Sequence, residues 1–508
     1  MSTSSKPFTE TPGWGITFPQ QANSDESLAV VTALIPQELV VPLLQHTGNA
    51  ADPLVRVGER VLTGQPVGAM QQHKLGARVH ASSSGTVTSI AIGKVPGRRD
   101  ALCVTIQTDG KDERWPGYHS RAKPLRLSTS ELRKAVIEAG IVGLGGATFP
   151  AGIKLNRGTG VETLILNGAE CEPCINCDDA LLRTEAQLIL LGAQVMLRIL
   201  EADNCIIAIK HSMHTAAAAL DEALLELADD RFHVEHVPAL YPIGGEAQLI
   251  QRLTDQEMPS GGLPWDSGAI CQNVGTALAV ARFLSFGEPL IRRMVTVTGG
   301  GIKQPVNLDT RLGTPINEII AAAGGYTGEP SALIMGGPMM GIPLDSDTAP
   351  ITKASNCIYV PAPSELAVQH PEMPCIRCGD CSTACPANLM PQLLLQAGKT
   401  NDFDRLQSLG LTDCIECGCC DYVCPSHIPL TQGFVAAKRK HWELAFERKR
   451  ADKAAQRYAA RETRLARDKA VQNHELAGQT EGLNSSDDAD AALRELLQRV
   501  GNKNNQKD

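Results

Sequence analysis

The sequence predicts a multidomain α/β protein. An all-β module comes first, then a domain of alternating strands and helices, a smaller mixed unit and a cysteine-bearing helical module. Three observations carry this. Short Val- and Ile-rich runs lie between Gly and Pro from about 28 to 110. Apolar strand and helix patterns alternate from about 127 to 290. A cysteine run then occurs twice between 375 and 424.

At 508 residues the chain has room for two to four domains. Aromatic residues make up only 4%, so aliphatic cores are expected. The net charge of -9 argues against nucleic acid as the main partner. Eight of the 16 cysteines fall in the doubled run, and no signal peptide is apparent. A reducing compartment is therefore expected rather than a disulfide framework. No apolar run of about 18 residues is apparent, so no transmembrane span is expected.

Residues 1–27 are polar and rich in Pro, Gly and Ser, and read as an extended arm. Residues 28–118 form the all-β unit, a small barrel or sandwich, from runs such as Val55-Arg56-Val57, Thr86 to Ile92 and Leu102 to Ile106. Its segment His80 to Val87 resembles the hairpin of lipoyl-type domains but carries no lysine at the tip, which favours a structural role. The α/β domain, 127–290, begins with a helix near Ser130. Strands follow at Val161–Leu166, Cys205–Ile209 and Val234–Val237, with helices at about 180–201 and 215–227 between them. Both strand faces are apolar, as in a sheet covered on two sides. Residues 292–345 make the smaller unit, with strands at Arg293–Val297 and Ser331–Met335 around a helix at Ile316–Ala322. The cysteine module spans 365–435, a charged helix 436–470, and a polar tail 471–508 is expected to be disordered.

The doubled run reads Cys375-x2-Cys378-x2-Cys381-x3-Cys385-Pro386, then Cys414-x2-Cys417-x2-Cys420-x3-Cys424-Pro425. This is the spacing of bacterial ferredoxins with two [4Fe-4S] clusters, in which the fourth cysteine of each run ligates the other cluster. One cluster would take Cys375, Cys378, Cys381 and Cys424, and the other Cys414, Cys417, Cys420 and Cys385. Zinc would need only paired Cys-x2-Cys, and eight cysteines in this order favour iron. Cys419 adjoins a ligand, but the register favours Cys420. Cys171, Cys174 and Cys177 copy the loop spacing without a fourth Cys-Pro and read as reduced thiols after a strand.

Four loops look like ligand sites. Gly143, Gly145 and Gly146 precede Phe149-Pro150 and Lys154, and offer backbone N–H groups and a cation for a phosphate. A plain helix–strand connection would fit this stretch as well. Asn167, Glu170 and Glu172 sit at the carboxyl end of a strand, where open α/β sheets bind ligands. Tyr241 to Glu246 is a second glycine loop ending in an acid, and Gln272-Asn273 precedes an apolar helix.

Together, Gly143–Lys154, Asn167–Pro173, Tyr241–Glu246 and Gln272–Thr276 resemble the C component of the Rnf/Rsx ion-translocating electron transport complex. More distantly, they are similar to the flavin-bearing, NADH-oxidising subunit of respiratory complex I. Pro42–His46 and His80–Gly85 share the likeness to the Rnf component, which covers about residues 12 to 440. The resemblance implies FMN and NAD(H) in one cavity. Gly143, Gly145, Gly146, Phe149 and Lys154 would border the phosphates, and Asn167, Glu170 and Glu172 the flavin and nicotinamide. Glu246 would approach the dinucleotide, and Asn273 the FMN. Ala169 and Cys171 stand where the complex I protein has Asp and Ser, and Cys174 where the family often has Tyr. The unit at 292–345 resembles the soluble-ligand-binding β-grasp unit of both families.

These readings predict an oxidoreductase subunit that exchanges electrons between NAD(H), FMN and two [4Fe-4S] clusters. A hydride carries two electrons and a cluster takes one, so the flavin divides the pair. The resemblance implies a peripheral subunit on the cytoplasmic face of the bacterial inner membrane. Its partners would be membrane and peripheral subunits that include a ferredoxin-like one. Two alternatives are a ferredoxin-like relay with a non-functional nucleotide site and a stand-alone soluble flavin dehydrogenase. Between Lys438 and Lys469 the charge excess is +7, from 12 Lys/Arg against 5 Asp/Glu. That stretch suits anionic lipid or an acidic partner, or is simply a solvated helix.

Overall fold

A computed structural model of the chain describes residues 12–18, 28–71, 74–97, 100–121, 123–156, 160–366, 370–481 and 486–504. It divides into two compact units, Met1–Val435 and Ala436–Asp508. Most of the expected N-terminal arm lies outside the described residues. Its described part, 12–18, is tied down: Ile16 exchanges backbone hydrogen bonds with Tyr241, and the Gly15 N–H donates to the Ala384 carbonyl at 3.1 Å.

The first module is two small antiparallel sheets. In one, β1 (Glu38–Pro42), β3 (Ala101–Thr108) and β2 (Gly85–Gly93) pair in that spatial order, with Arg60–Val61 outside β2. The other holds Asp52–Pro53, Pro66–Ala69 and Val79–His80. Leu39, Val41, Val67, Val87, Val104 and Ile106 fill the space between them, an aliphatic core as the composition predicts. Ser82, Ser83 and Ser84 are fully buried. Ser83 Oγ donates to Asp112 at 3.0 Å and Ser84 Oγ to Asp109 at 2.6 Å. Arg311 also binds Asp112 and the Ser82 carbonyl. The segment that resembles a lipoyl hairpin therefore anchors one module to another.

The central domain starts with α1 (Thr129–Glu138), held by a capping box between Ser128 and Glu131. Strands β4 (Thr163–Asn167), β5 (Asn204–Lys210), β6 (Phe232–Val237) and β7 (Ala269–Asn273) form a wholly parallel sheet in the order β6-β5-β4-β7. The helices between them are α2 (Cys177–Leu200), α3 (His214–Leu227) and α4 (Glu246–Thr254), and α5 (Val274–Phe286) follows β7. β4 has β5 on one side and β7 on the other, so the strand order reverses there. That reversal opens a crevice at the carboxyl ends of β4 and β7, where Asn167 and Asn273 are register partners.

Among the described residues, α2 alone is long and apolar enough to cross a membrane, and most of it is buried against the sheet and α5. Gly192 lets α2 and α5 meet, because a Cβ there would overlap the Ala277 carbonyl. Gly192→Ala is expected to destabilise the protein by about 1–3 kcal/mol, seen as a lowered Tm.

The smaller unit corrects the sequence reading. Its sheet has six strands, in the order Val30–Thr32, β9 (Val306–Arg311), β8 (Arg292–Thr298), β10 (Cys357–Tyr359), Ile334–Met335 and Ile342–Pro343. The helix α6 (Ile316–Ala322) lies where expected. The unit thus runs past 345, because β10 inserts between β8 and Ile334–Met335, and the closing strand is shorter than Ser331–Met335. Val30–Thr32, which the sequence places in the first module, pairs in parallel with β9 instead.

Lys353 joins three modules. Its side chain is buried, and Nζ donates to the Arg78 carbonyl at 2.8 Å and the Gly140 carbonyl at 2.7 Å. Burial pulls its ammonium down from 10.5 to about 7. An unfolded chain keeps that proton across the interval while the folded chain releases it, so this group makes stability rise with pH from about 7 towards 10.5. Urea midpoints at about pH 7.5 and about pH 9.5 should show a smaller rise in Lys353→Met than in the parent.

In the cysteine module, the short helices Asp380–Thr383 and Cys419–Tyr422 face each other, and Pro391–Thr400 and Phe403–Ser408 lie between the two runs. The C-terminal reading needs correction. The helix α7 runs from Leu430 to Glu481 rather than 436–470, and the tail expected to be disordered contains α8 (Ser486–Asn504). Ala491, Ala492, Leu493, Glu495, Leu496 and Leu497 are strong helix formers and outweigh the flanking Asn and Asp.

Candidate functional site

The crevice is built from four loops. The glycine loop enters after α1, where Gly143 N donates to the Phe149 carbonyl at 2.8 Å and Leu144 N to Thr276 Oγ1 at 3.0 Å. Gly146 has φ of +109°, which favours glycine. A Cβ on Gly145 would point at Asn273, 3.5 Å from its Cβ. The exposed backbone of Gly145–Ala147 thus forms one wall of a cradle that a larger side chain would fill. Thr47 of the first module supports this wall, with Oγ1 donating to the Ala147 carbonyl at 2.7 Å. Phe149 is half-buried at the end of the loop.

Lys154, on the short helix Ala151–Lys154, is brought to α4. Its Nζ donates to Glu246 Oε1 and to the Cys271 carbonyl, each at 2.6 Å. The pair is held at the crevice margin, with Glu246 38% exposed and so open to a ligand. Asn167 Nδ2 donates to the Gly244 carbonyl at 2.8 Å and fixes the second glycine loop. Asn273 Oδ1 caps α5 through Gly275 N at 2.8 Å, and its Nδ2 donates to Asp178 at 2.7 Å.

Glu170 and Glu172 lie one turn further along. Burial raises the Glu170 carboxyl, against the opposing pull of the Glu172 N–H, Lys210 and Arg293. Glu172 Oε1 accepts from Met339 N at 2.7 Å and Met340 N at 2.9 Å, yet burial still pushes it to about 7. Asp178 is pushed to about 7 as well, by burial first and then by Glu170. Acids poised near neutrality beside a crevice are suited to holding or releasing a proton.

Sequence reasoning missed Asp178 and Arg293 as members of this site, and it named the loops of Tyr241 and Thr276 without giving those two side chains a role. The buried Arg293 donates to the Leu144 carbonyl at 3.2 Å and to the Lys353 carbonyl, bracing the glycine loop from behind. Tyr241 is 2% exposed, and its hydroxyl donates to the Cys417 carbonyl at 2.6 Å. Gln248 Nε2 likewise donates to the Pro386 carbonyl at 3.3 Å. The crevice and the cysteine module therefore share a wall.

The two cysteine runs fold alike. Arg377 and Glu416, at matching positions, take φ of 61° and 60°. Gly379 and Gly418 follow at 91° and 78°. The thiols sort across the runs. Cys381 lies within electrostatic reach of Cys378 and Cys424, whereas Cys385 and Cys420 both lie within reach of Cys417, and Cys420 also of Cys414. A hollow lined by Cys385, Cys414, Cys417, Cys419 and Cys420 is closed by Leu389, Leu394 and Phe434. The four that the doubled spacing assigns, Cys385, Cys414, Cys417 and Cys420, are soft donors around a hollow of apolar walls and suit an iron–sulfur cluster. Burial raises the Cys385 and Cys420 thiols, so iron itself must drive their deprotonation. Cys419 also lines this hollow and, like Cys417, packs with Tyr241 and Ala384. Cys171, Cys174 and Cys177 do not converge. Cys171 Sγ accepts from Gly244 N at 3.3 Å, while Cys177 is buried in the main core.

Four family models match the chain. The RnfC barrel sandwich hybrid domain covers residues 11–111, and the Nuo51 FMN-binding domain 136–282. The SLBB domain covers 294–343, and the 4Fe-4S dicluster domain 374–428. The C component of the ion-translocating oxidoreductase complex of Erwinia tasmaniensis is 41% identical over 487 residues, 95% of this chain and 60% of that protein. Its counterpart in Vibrio cholerae is 42% identical over 446 residues, 87% of this chain and 57% of that protein. The Yersinia pestis counterpart is 40% identical over 458 residues, 90% of this chain and 73% of that protein. The chain thus spans about 60% of the length of the first of these relatives. With 40% identity across nearly three quarters of a relative, and family models matched from its barrel to its cluster module, the chain belongs to the RnfC family of ion-translocating oxidoreductase complexes.

Proposed function

We propose that this chain is the peripheral subunit through which an Rnf-type complex exchanges electrons with NAD(H). The observation that carries this reading is the crevice at the carboxyl ends of β4 and β7, which shares the Tyr241 wall with the Cys417 loop. When bound, FMN exchanges a hydride with NAD(H) and passes electrons singly, and the clusters carry them one at a time.

The protein's own groups bind and orient. Gly143 shapes the loop through its bond to the Phe149 carbonyl, and Gly145 and Gly146 leave room and backbone donors for FMN against Asn273 and the N-terminus of α5. Lys154 meets phosphate, and Glu246, held by Lys154, receives hydroxyls of the dinucleotide. Asn167 and Phe149 shape the crevice. Glu170, Glu172 and Asp178 hold or release the proton that accompanies electron exchange.

The partners are membrane and peripheral subunits of the complex, with a ferredoxin-like subunit among them. The site of action is the cytoplasmic face of a bacterial inner membrane. The basic stretch 438–469 is suited to anionic lipid or an acidic subunit.

Glu246→Ala tests the site. NADH affinity, measured by titration calorimetry on the flavin-loaded protein, should fall about 10- to 100-fold, the worth of a charged hydrogen-bond pair. The electron paramagnetic resonance signals of both clusters after chemical reduction should be unchanged. Unaltered NADH affinity would favour a relay with a non-functional nucleotide site. A fully active monomer that never associates with membrane subunits would favour a stand-alone dehydrogenase.

A further inference from the structure

Pro42–His46 of the first module leads directly into Thr47, and Thr47 is where that module meets the glycine loop. Thr47 is exposed, and its two donors bind consecutive peptides. Its Oγ1 donates to the Ala147 carbonyl at 2.7 Å, and its backbone N–H to the Thr148 carbonyl at 3.1 Å.

The turn that presents Thr47 is fixed on both sides. Gln45 and His46 before it are buried. Gln45 Nε2 donates to the Pro42 carbonyl at 2.9 Å, and its Oε1 accepts from Lys353 N at 3.2 Å. Gly48 after it has φ of +121°, and a Cβ there would overlap the Leu75 carbonyl. Asn49 N donates to that same carbonyl at 2.8 Å.

The glycine loop needs such a support on one limb. Its near limb is held at Leu144, whose N–H binds Thr276 and whose carbonyl binds Arg293. Its far limb keeps Thr148 buried at φ of +49°, a left-handed conformation that a β-branched residue disfavours. Between the limbs, Gly145, Gly146 and Ala147 are exposed, and their N–H groups have no acceptor among the described residues.

We propose that Thr47 is a positioning residue for the flavin phosphate, which makes the first module a working part of the flavin site. Thr47 fixes two peptide planes at the end of the open run Gly145–Ala147. The run is thereby held ready for a phosphate before the ligand arrives. A loop that must be ordered on binding gives weaker affinity than one ordered beforehand. This inference rests on the flavin site proposed above.

The test compares FMN with riboflavin, which has the same ring and lacks the phosphate. Each is titrated into the full chain after flavin removal, and binding is read from the quenching of flavin fluorescence. Thr47→Val keeps the side-chain shape and removes the donor. Its FMN affinity should fall about 3- to 10-fold, the range of one hydrogen bond between neutral groups. Its riboflavin affinity should match the parent's. Thr47→Ser keeps the hydroxyl and should bind FMN as the parent does. Because Thr47 is exposed, the flavin-free parent and both variants should share one Tm.

Parental FMN affinity in Thr47→Val would overturn the proposal. Equal weakening of FMN and riboflavin would do so as well, since Thr47 would then act on the ring. A loss in Thr47→Ser as large as in Thr47→Val would show that shape matters and the hydroxyl does not. A lowered Tm in flavin-free Thr47→Val would reduce Thr47 to a structural link between modules. If the parent binds neither flavin, the proposed flavin site itself fails, and not merely the part played by Thr47.

Discussion

Cys385→Ala is expected to abolish the cluster of the second cysteine run while leaving that of the first. Cys385 belongs by sequence to the first run, so a reading by proximity in the chain predicts the opposite. The fold separates the two. Cys385 lies by Cys417 and lines the same hollow as Cys414, Cys417 and Cys420. Cys424, from the second run, lies by Cys381. A cubane with three protein thiolates in a buried hollow leaves one iron without a protein ligand, and water is a poor replacement among Leu389, Leu394 and Phe434. Iron content should fall from about eight to about four atoms per chain. Cys424→Ala should give the same loss with the other resonance signal. If Cys385→Ala instead removes the signal that depends on Cys378, the ligands do not cross.

Lys154→Met is expected to lose most of its nucleotide response. Lys154 is 17% exposed at its side chain and is shared between Glu246 and the Cys271 carbonyl. The methionine keeps the length and removes both the charge and the donors. A phosphate at the glycine loop then loses a charge-assisted contact, and Glu246 loses the group that aims it. Each is worth about 1.5–3 kcal/mol, or about 10- to 100-fold in affinity. Because Glu246 stays partly solvated, the fold should survive, and an unchanged Tm would separate lost binding from lost structure. Lys154→Arg should recover part of the response, since charge returns without the ammonium's compact geometry. Full NADH affinity in Lys154→Met would remove the lysine from the site.

Much of the fold is legible in the sequence, for local reasons. The cysteine spacing is set by the tight turns at Arg377 and Glu416 and by Gly379 and Gly418, so it appears as a short motif. Strands β4 and β5 are continuous apolar runs because both their faces are covered. What escapes a sequence reading depends on distant partners. Val30–Thr32 and Cys357–Tyr359 are three residues each, and their pairing with β9 and β8 is decided by partners distant in the chain, with whole strands and helices between. The sequence singles out neither Asp178 nor Arg293 for the site, yet burial beside Asn273 and behind the glycine loop makes them part of it. Tyr241 stands inside a recognisable motif, but its bond to the Cys417 carbonyl joins positions 176 residues apart. The tail reads as disordered because its Asn and Asp residues stand out more than the helix-forming stretch 489–499.

Whether one chain couples a nucleotide crevice to two clusters is decided by an anaerobic titration of the purified, cofactor-loaded protein with NADH. Flavin absorbance and the cluster resonance signals are followed together. The flavin should bleach and both cluster signals should grow in the same titration, with no other protein present. A protein that holds its full complement of flavin and iron, is reduced by dithionite, and shows no change with NADH would rule the coupling out.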